Sequence, residues 1–336
     1  MTSREKKPLV RRTDRDYSQQ LRLAVQVAFI ALNVWIGAQF YLWVRHLESG
    51  GMTREVSRPP GVEGWLPIAA LMNLKAFVLT GKVPDIHAAG MFLLIAFLGI
   101  SLLLKKAFCS WLCPIGTVSE WLWKLGRKAG GNADVPRWLD IPLRGLKYLL
   151  FGFFAWAVIN MPVDAIVAFL KAPFGMVADV KMLDFFRHIS TTALIVIAVL
   201  IGLSVLVKNF WCRYLCPYGA LLGLFALVSP ARIRRDADKC IDCAKCTKAC
   251  PSRLPVDRLL QIRSAECTLC MQCTAVCPAA GALDVKVTPH RTVPAWAVAA
   301  TIAAIFFGIV GYAKLSGHWT PDVPKELYVY FLSIAR

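Results

Sequence analysis

Apolar residues along this chain fall into long unbroken blocks instead of the spaced rhythm of soluble helices. Five blocks approach the about 20 residues that a helix needs to cross a bilayer. They lie at about 24–44, 88–104, 143–161, 189–207 and 294–313. They carry few or no central charges, and a helix satisfies its own backbone polar groups where lipid cannot. Two shorter apolar runs, 66–80 and 163–172, contain Lys75 and Lys171 and predict interfacial or re-entrant helices. Within 116–131, Val118, Trp121, Leu122 and Leu125 recur at helical spacing, the pattern of an amphipathic helix lying at the membrane surface. A basic leader (Arg4, Lys6, Lys7, Arg11, Arg12, Arg15) precedes the first block. That block is too long for a signal peptide and no small-x-small cleavage pattern follows it, so an uncleaved anchor is expected.

Composition agrees with the pattern. The 336 residues are 57% hydrophobic and 18% charged, against about 25% charged in ordinary soluble domains. The net charge of +18 raises the question of nucleic acid, and its placement answers it. With five spans, the segments sharing the N-terminal side hold 28 Lys and Arg and the opposite segments 11. The positive-inside rule then puts the N-terminus in the cytoplasm and the C-terminus outside. The charge reads as an orientation signal. No soluble basic domain with a recognition helix is legible, so no nucleic-acid partner is expected.

The first and second halves of the membrane part share one order: span, short apolar helix, span, cysteine motif. Lys105-Lys106-Ala107-Phe108-Cys109-Ser110-Trp111-Leu112-Cys113-Pro114-Ile115-Gly116 aligns with Val207-Lys208-Asn209-Phe210-Trp211-Cys212-Arg213-Tyr214-Leu215-Cys216-Pro217-Tyr218-Gly219 after one inserted residue. Both copies follow an outside-to-inside span, so they predict a tandem parallel repeat with all four cysteines at one depth near the cytoplasmic surface. If a helix continues through C-x3-C, both sulfurs share a face. The proline then breaks that helix or starts the next. Cys109, Cys113, Cys212 and Cys216 would thus supply four thiols for a third metal centre, a redox pair or a soft-metal site. Small buried residues are the bland alternative.

Residues 240–278 carry the decisive chemistry. Cys240-x2-Cys243-x2-Cys246-x3-Cys250-Pro251 is followed by Cys267-x2-Cys270-x2-Cys273-x3-Cys277-Pro278. This is the bacterial two-cluster ferredoxin spacing, in which three close cysteines wrap one cubane and the fourth reaches the other. Cys240, Cys243, Cys246 and Cys277 are therefore expected on one [4Fe–4S] cluster, and Cys267, Cys270, Cys273 and Cys250 on the second. Zinc knuckles use two pairs and do not need the third x2 cysteine or x3-C-P. Disulfides are disfavoured on the reducing cytoplasmic side. The spacer 252–266 is long enough for one helix, as a (βαβ)2 ferredoxin module requires, with Leu259, Leu260 and Ile262 covering the clusters.

On these residues the chain resembles the membrane-bound polyferredoxins. These include the quinol-oxidising subunit of periplasmic nitrate reductase systems, the C-terminal half of the nitrous-oxide-reductase regulator and, more distantly, the copper-reducing oxidase-assembly factor. The resemblance runs from the first span through Pro278 and rests on the duplicated C-x3-C-P motif combined with the paired ferredoxin motifs. Two departures stand out. No extracytoplasmic flavin-binding domain precedes the membrane part, so flavin is expected only on a partner, and about twenty residues follow the last span where the copper-reductase type has a folded domain. The expected fold is a multi-pass α-helical membrane protein of about five spans with an inserted cytoplasmic α+β two-cluster ferredoxin module. Its parts are a basic leader (1–23), a membrane domain of two repeats (24–229), the ferredoxin domain (230–290), a final transmembrane helix (294–313) and an extracytoplasmic tail (314–336).

The resemblance implies an electron-transfer subunit of the bacterial inner membrane, not a stand-alone enzyme. It would pass electrons between the quinone pool or a membrane redox partner and a respiratory or flavin-containing subunit. The alternative is an assembly or regulatory factor that reduces or delivers a soft metal such as copper. His87 and His188, at the outer ends of the spans leading to the cysteine pairs, read either as interfacial histidines or as proton acceptors at a quinol site. Haem between them is disfavoured, because no C-x-x-C-H motif is present. Trp111, Trp121, Trp123 and Trp211 predict an aromatic belt. Asp164, Asp179, Lys181, Asp184 and Arg187 predict a solvated or docking face.

Overall fold

In the computed structural model, residues 10–13, 15–131, 133–288, 290–321 and 325–334 are described. Arg4, Lys6 and Lys7 of the basic leader lie outside them. Each of the five apolar blocks falls on a helix: Ser18–Glu48, Ala88–Leu104, Arg137–Asn160, Thr191–Leu206 and Ala295–Leu315. The first, third and fifth are long and apolar enough to cross a membrane. The other two have 17 and 16 residues. Thr191–Leu206 follows Ala178–Arg187 across a bend of 85°, and the pair together has the length and apolarity of a broken span or a re-entrant loop. The two short runs are the helices Pro67–Thr80 and Val163–Lys171.

The chain divides into two compact units. One gathers Ala31–Phe97, Leu149–Val199 and Ile305–Arg336. Here the two short helices pack together through Met72, Ala76, Ile166 and Leu170, with Val158 beside them. Lys75 is not an anomaly in its apolar helix. Its ammonium donates to the carbonyls of Val158 (3.0 Å), Ile159 (2.8 Å) and Met161 (2.5 Å), capping the end of Arg137–Asn160. The same unit buries an ionic group. Arg58 Nη2 reaches Asp179 at 2.7 Å and Glu63 at 2.9 Å, and Glu63 also accepts from the Gly90 amide at 3.1 Å. Asp179 is fully buried there, which corrects its place on a solvated face. Nearby, Arg187 pairs with Glu48 at 2.8 Å and Asp184 at 3.3 Å.

The other unit gathers Met1–Ile30, Leu98–Tyr148 and Leu200–Ala304, and it contains all twelve cysteines. Two apolar helices enter their cysteine motifs by the same device. Lys105 (φ 58°) and Asn209 (φ 52°) adopt the left-handed conformation, which ends each helix just before its motif. After the first motif comes the helix Pro114–Lys128, and its polarity is inverted. Thr117, Ser119 and Glu120 are buried while Val118, Trp121 and Leu125 are exposed. An apolar stripe turned outward is what an interfacial helix presents to lipid.

Trp111 and Trp123 depart from the expected belt. Both are buried, Trp111 donating from Nε1 to Leu269 O at 3.2 Å and Trp123 lying under Arg127 and Lys208. A two-stranded antiparallel sheet completes the unit. Its strands are β1 (Arg232–Arg235) and β2 (Leu283–Lys286), with Ile233 opposite Val285 and both buried. The segment 252–266 contains no helix. Pro251 and Pro255 each remove a backbone donor, and the chain instead runs alongside β1, with Arg235 N on Leu260 O (2.8 Å) and Ile262 N on Ile233 O (2.9 Å).

Candidate iron–sulfur sites

The two ferredoxin motifs fold alike. Asp242 (φ 54°) and Ala244 (φ 55°) in the first match Leu269 (φ 48°) and Met271 (φ 58°) in the second. These left-handed residues flank the middle cysteine, and successive turns of this kind curl the loop so that amides point into its concavity, where they favour an anion. A short helix follows in each case, Lys245–Ala249 or Gln272–Ala275, and carries the chain away to the last cysteine. Two cavities result. One is lined by Cys240, Cys243, Cys246 and Cys277; the other by Cys250, Cys267, Cys270 and Cys273. Each motif's last cysteine lines the other motif's cavity.

The residues fit iron–sulfur cubanes. All twelve thiols are free. Among the described residues no three His, Cys, Asp or Glu are close enough together to hold a lone metal ion. A cubane is wider than one ion and keeps its ligands further apart. Burial pushes the thiols up, Cys267 to about 11 and Cys250 to about 12, so they stay protonated until iron displaces the proton.

The cavities differ in burial. Cys243 is exposed and Cys240 and Cys277 are half-buried, whereas all four cysteines of the second cavity are buried. Ile233, Leu254, Val256 and Ile262 wall the second cavity. Of the three residues expected to cover the clusters, only Ile262 does so. Leu259 and Leu260 are exposed, because the spacer is extended and turns them outward.

The loop of the second cavity is fastened to the first C-x3-C-P segment. Lys106 N donates to Cys267 O (3.3 Å), Ser110 Oγ to Thr268 O (2.6 Å) and Trp111 Nε1 to Leu269 O (3.2 Å). Glu266, beside Cys267, accepts from Lys147 (2.5 Å), Tyr148 (3.0 Å) and Lys106 (3.1 Å). Burial alone would raise its carboxyl, but Lys106 and Lys147 overcome this and hold it at about 2. Sequence reasoning missed this group. Its only local trace is a lysine pair, Lys105-Lys106, at the end of an apolar block.

In both C-x3-C-P segments the proline starts a new helix. Cys113 caps Pro114–Lys128, its sulfur accepting from Gly116 N at 3.4 Å, and Cys216 caps Pro217–Ala226, accepting from Gly219 N at 3.3 Å. The sulfurs of Cys109, Cys113, Cys212 and Cys216 lie within electrostatic reach of one another, and burial raises all four, Cys113 to about 11. The two glycines are not equally constrained. A Cβ at Gly116 would collide with Cys109 O, while one at Gly219 would meet Cys212 O at 3.6 Å. Gly116→Ala should therefore lower thermal stability by about 1–3 kcal/mol, and Gly219→Ala should melt close to wild type; melting both variants in detergent checks this.

His87 and His188 do not share an environment. His188 is exposed. His87 is buried, with Nε2 donating to Gly175 O at 2.9 Å and Nδ1 3.4 Å from Glu63. Burial opposes its protonation, but Glu63 outweighs burial and Asp179 adds to it, so its pKa lies above the usual 6.5. Glu63 is held below its ordinary value, because Arg58 and His87 together outweigh its burial. The sign for His87 follows. A raised folded pKa stabilises fully below about pH 6.5 and loses that contribution as pH rises through the raised value. Wild type should melt at progressively lower temperature above pH 6.5, and His87→Gln should flatten that slope. Glu63 stays ionised throughout this range and contributes no slope of its own.

Comparison with known proteins matches the arrangement. A family described as "4Fe-4S binding domain" matches residues 86–131 and 189–235, one stretch around each C-x3-C-P pair. A second, "4Fe-4S dicluster domain", matches residues 232–278. YccM of Escherichia coli (strain K12), a protein named for electron transport, is 51% identical over 314 residues, covering 91% of this chain and 88% of YccM. The chain belongs to the membrane-bound polyferredoxin family. The ferredoxin-type protein NapH of Haemophilus influenzae is 30% identical, over 60% of this chain and 68% of NapH. MauN, a methylamine utilization ferredoxin-type protein of Methylorubrum extorquens, is 30% identical over 55% of this chain and 59% of MauN. No solved structure matches. Iron–sulfur binding and membrane helices are thus common ground between this polyferredoxin's sequence, its fold and its relatives.

Proposed function

We propose that this polyferredoxin is an inner-membrane electron carrier in which two [4Fe–4S] clusters pass single electrons between the quinone pool, or another membrane redox partner, and a respiratory enzyme. The carrying observation is the pair of cavities, each enclosed by four cysteines in the crossed arrangement. Cys240, Cys243, Cys246 and Cys277 hold one cluster; Cys250, Cys267, Cys270 and Cys273 hold the other. A bound cubane supplies reversible one-electron chemistry. The protein supplies burial, inward-facing amides and hydrogen bonds that anchor the second loop to the C-x3-C-P segment.

The proposed topology has five spans, the two shorter helices included, with two parallel repeats and the ferredoxin module in the cytoplasm. The bias of Lys and Arg supports that direction. Matching left-handed residues and matching cysteine caps support the repeat. The four C-x3-C-P thiols form a third centre linking the module to the membrane.

Anaerobically isolated protein should contain about eight iron atoms per chain from the ferredoxin module, or about twelve with the third centre. Low-temperature EPR after reduction should show interacting [4Fe–4S]+ signals. Iron near zero overturns the reading. Replacing Cys109, Cys113, Cys212 and Cys216 with Ser separates the two functions. Loss of quinol-dependent reduction supports the electron carrier, whereas survival of reduction with loss of copper binding supports an assembly factor.

A further inference from the structure

The basic leader has work besides orientation. Val10–Arg12 runs antiparallel beside Pro278–Ala280, with Ala280 N on Val10 O and Arg12 N on Pro278 O, both at 2.9 Å, and with Arg11 opposite Ala279. Pro278–Ala280 is the stretch that follows Cys277, and both Cys277 and Ala279 line the first cavity. Arg12 continues the contact through its side chain. Its Nη1 donates to Thr274 O at 3.3 Å and pairs with Asp16 at 3.0 Å. Thr274 lies between Cys273 and Cys277, so the guanidinium grips the short stretch that links the two sites. Further along, Gln19 Nε2 donates to Cys270 O at 3.0 Å. The arm thus touches the second ferredoxin motif at Cys270, Thr274 and Pro278–Ala280 before the first long helix is one turn old.

We propose that residues 10–13 and 15–19 are a clasp built into the ferredoxin site, and that Arg12 sets the reduction potential of the first cluster, held by Cys240, Cys243, Cys246 and Cys277. This rests on the two-cluster reading above. The physics is Coulombic. Reduction adds a negative charge to a cluster, and a fixed cation close to one of its ligands stabilises the reduced form. Arg12 is tied by its backbone N to the carbonyl of Pro278 at 2.9 Å, one residue past Cys277, and its charge reaches the Cys277 sulfur. On the second site the cation near Cys270 is Arg22, which is already bound by both oxygens of Glu120 at 2.6 Å. Arg12 is about one-third exposed, so its effect is moderate and salt-dependent. It acts on the cluster through space and through Thr274, which makes it a positioning residue.

Redox titration of full-length protein, followed by EPR, resolves the two clusters, and Cys243→Ser marks the signal of the first. Arg12→Ala should reduce the reduced-to-oxidised ratio of the first cluster at fixed potential about two- to fivefold and shift the second less. Arg12→Lys should restore most of the shift, Arg12→Glu should enlarge it, and high salt should narrow the gap between wild type and Arg12→Ala. Equal shifts in both clusters, or no shift in either while both assemble, overturn the proposal. A merely structural clasp would lower stability without Lys rescue of the potential. If wild-type protein assembles no clusters, the two-cluster reading itself falls, and that outcome is distinct from any result with the Arg12 series.

Discussion

Replacing Cys250 with Ser should erase the same EPR signal as replacing Cys273, although Cys250 belongs to the first motif. Cys277→Ser should likewise copy Cys240→Ser. The crossed lining of the two cavities requires this pairing. Each exchange removes one thiolate of four, and a single serine alkoxide is a poor substitute for a soft ligand. Loss of one cluster should remove about four iron atoms per chain. The effects should also be unequal in stability. Second-cavity cysteines are wholly buried, and their loop anchors to Lys106, Ser110 and Trp111. Cys273→Ser should therefore loosen the module more than Cys243→Ser, whose thiol is exposed. Iron analysis, EPR and hydrogen exchange of 232–286 check the set. If Cys250→Ser instead follows Cys246→Ser, the crossing is wrong.

Glu120→Ala should be strongly destabilising. Glu120 is buried and bonds Arg22 through both oxygens at 2.6 Å, Lys124 at 2.5 Å and Gln272 at 2.8 Å. Removing it leaves the Arg22 guanidinium, only 2% exposed, without its counter-charge. Stranding a buried charge in this way costs about 3–5 kcal/mol. Lys124 escapes the penalty because its side chain reaches water. Replacing both partners with apolar residues removes the stranded charge, so Arg22→Met with Glu120→Leu should recover most of the loss. Heating each variant anaerobically and following the cluster absorbance measures the order. Equal melting of Glu120→Ala and wild type would contradict the burial of this pair.

Local pattern carried much of this molecule. Each apolar block became a helix, because a long uncharged run has few other ways to satisfy its backbone. The cavity linings follow directly from cysteine spacing, since three residues per turn of loop around a cubane leave the fourth no reach to its own site. The failures share a cause. Trp111 reads as a belt residue from its neighbours, yet its acceptor, Leu269 O, is 158 residues away. Asp179 reads as surface from a polar stretch, yet Arg58 claims it from 121 residues upstream. The same holds for Arg22 with Glu120 and for the leader on Pro278–Ala280. Such long-range pairs leave no periodic trace in a single chain. The missing spacer helix is different in kind. Its length permitted a helix, but two prolines and the unfilled edge of β1 favoured extension.

That extended spacer limits what can be exchanged. Just past the extended 252–266 segment, the carbonyls of Cys267, Thr268 and Leu269 receive donors from Lys106, Ser110 and Trp111. A soluble ferredoxin grafted in place of residues 232–286, carrying a helix at that point, would screen those acceptors. Three donors would be left facing apolar surface, and the graft would tether its iron without seating it.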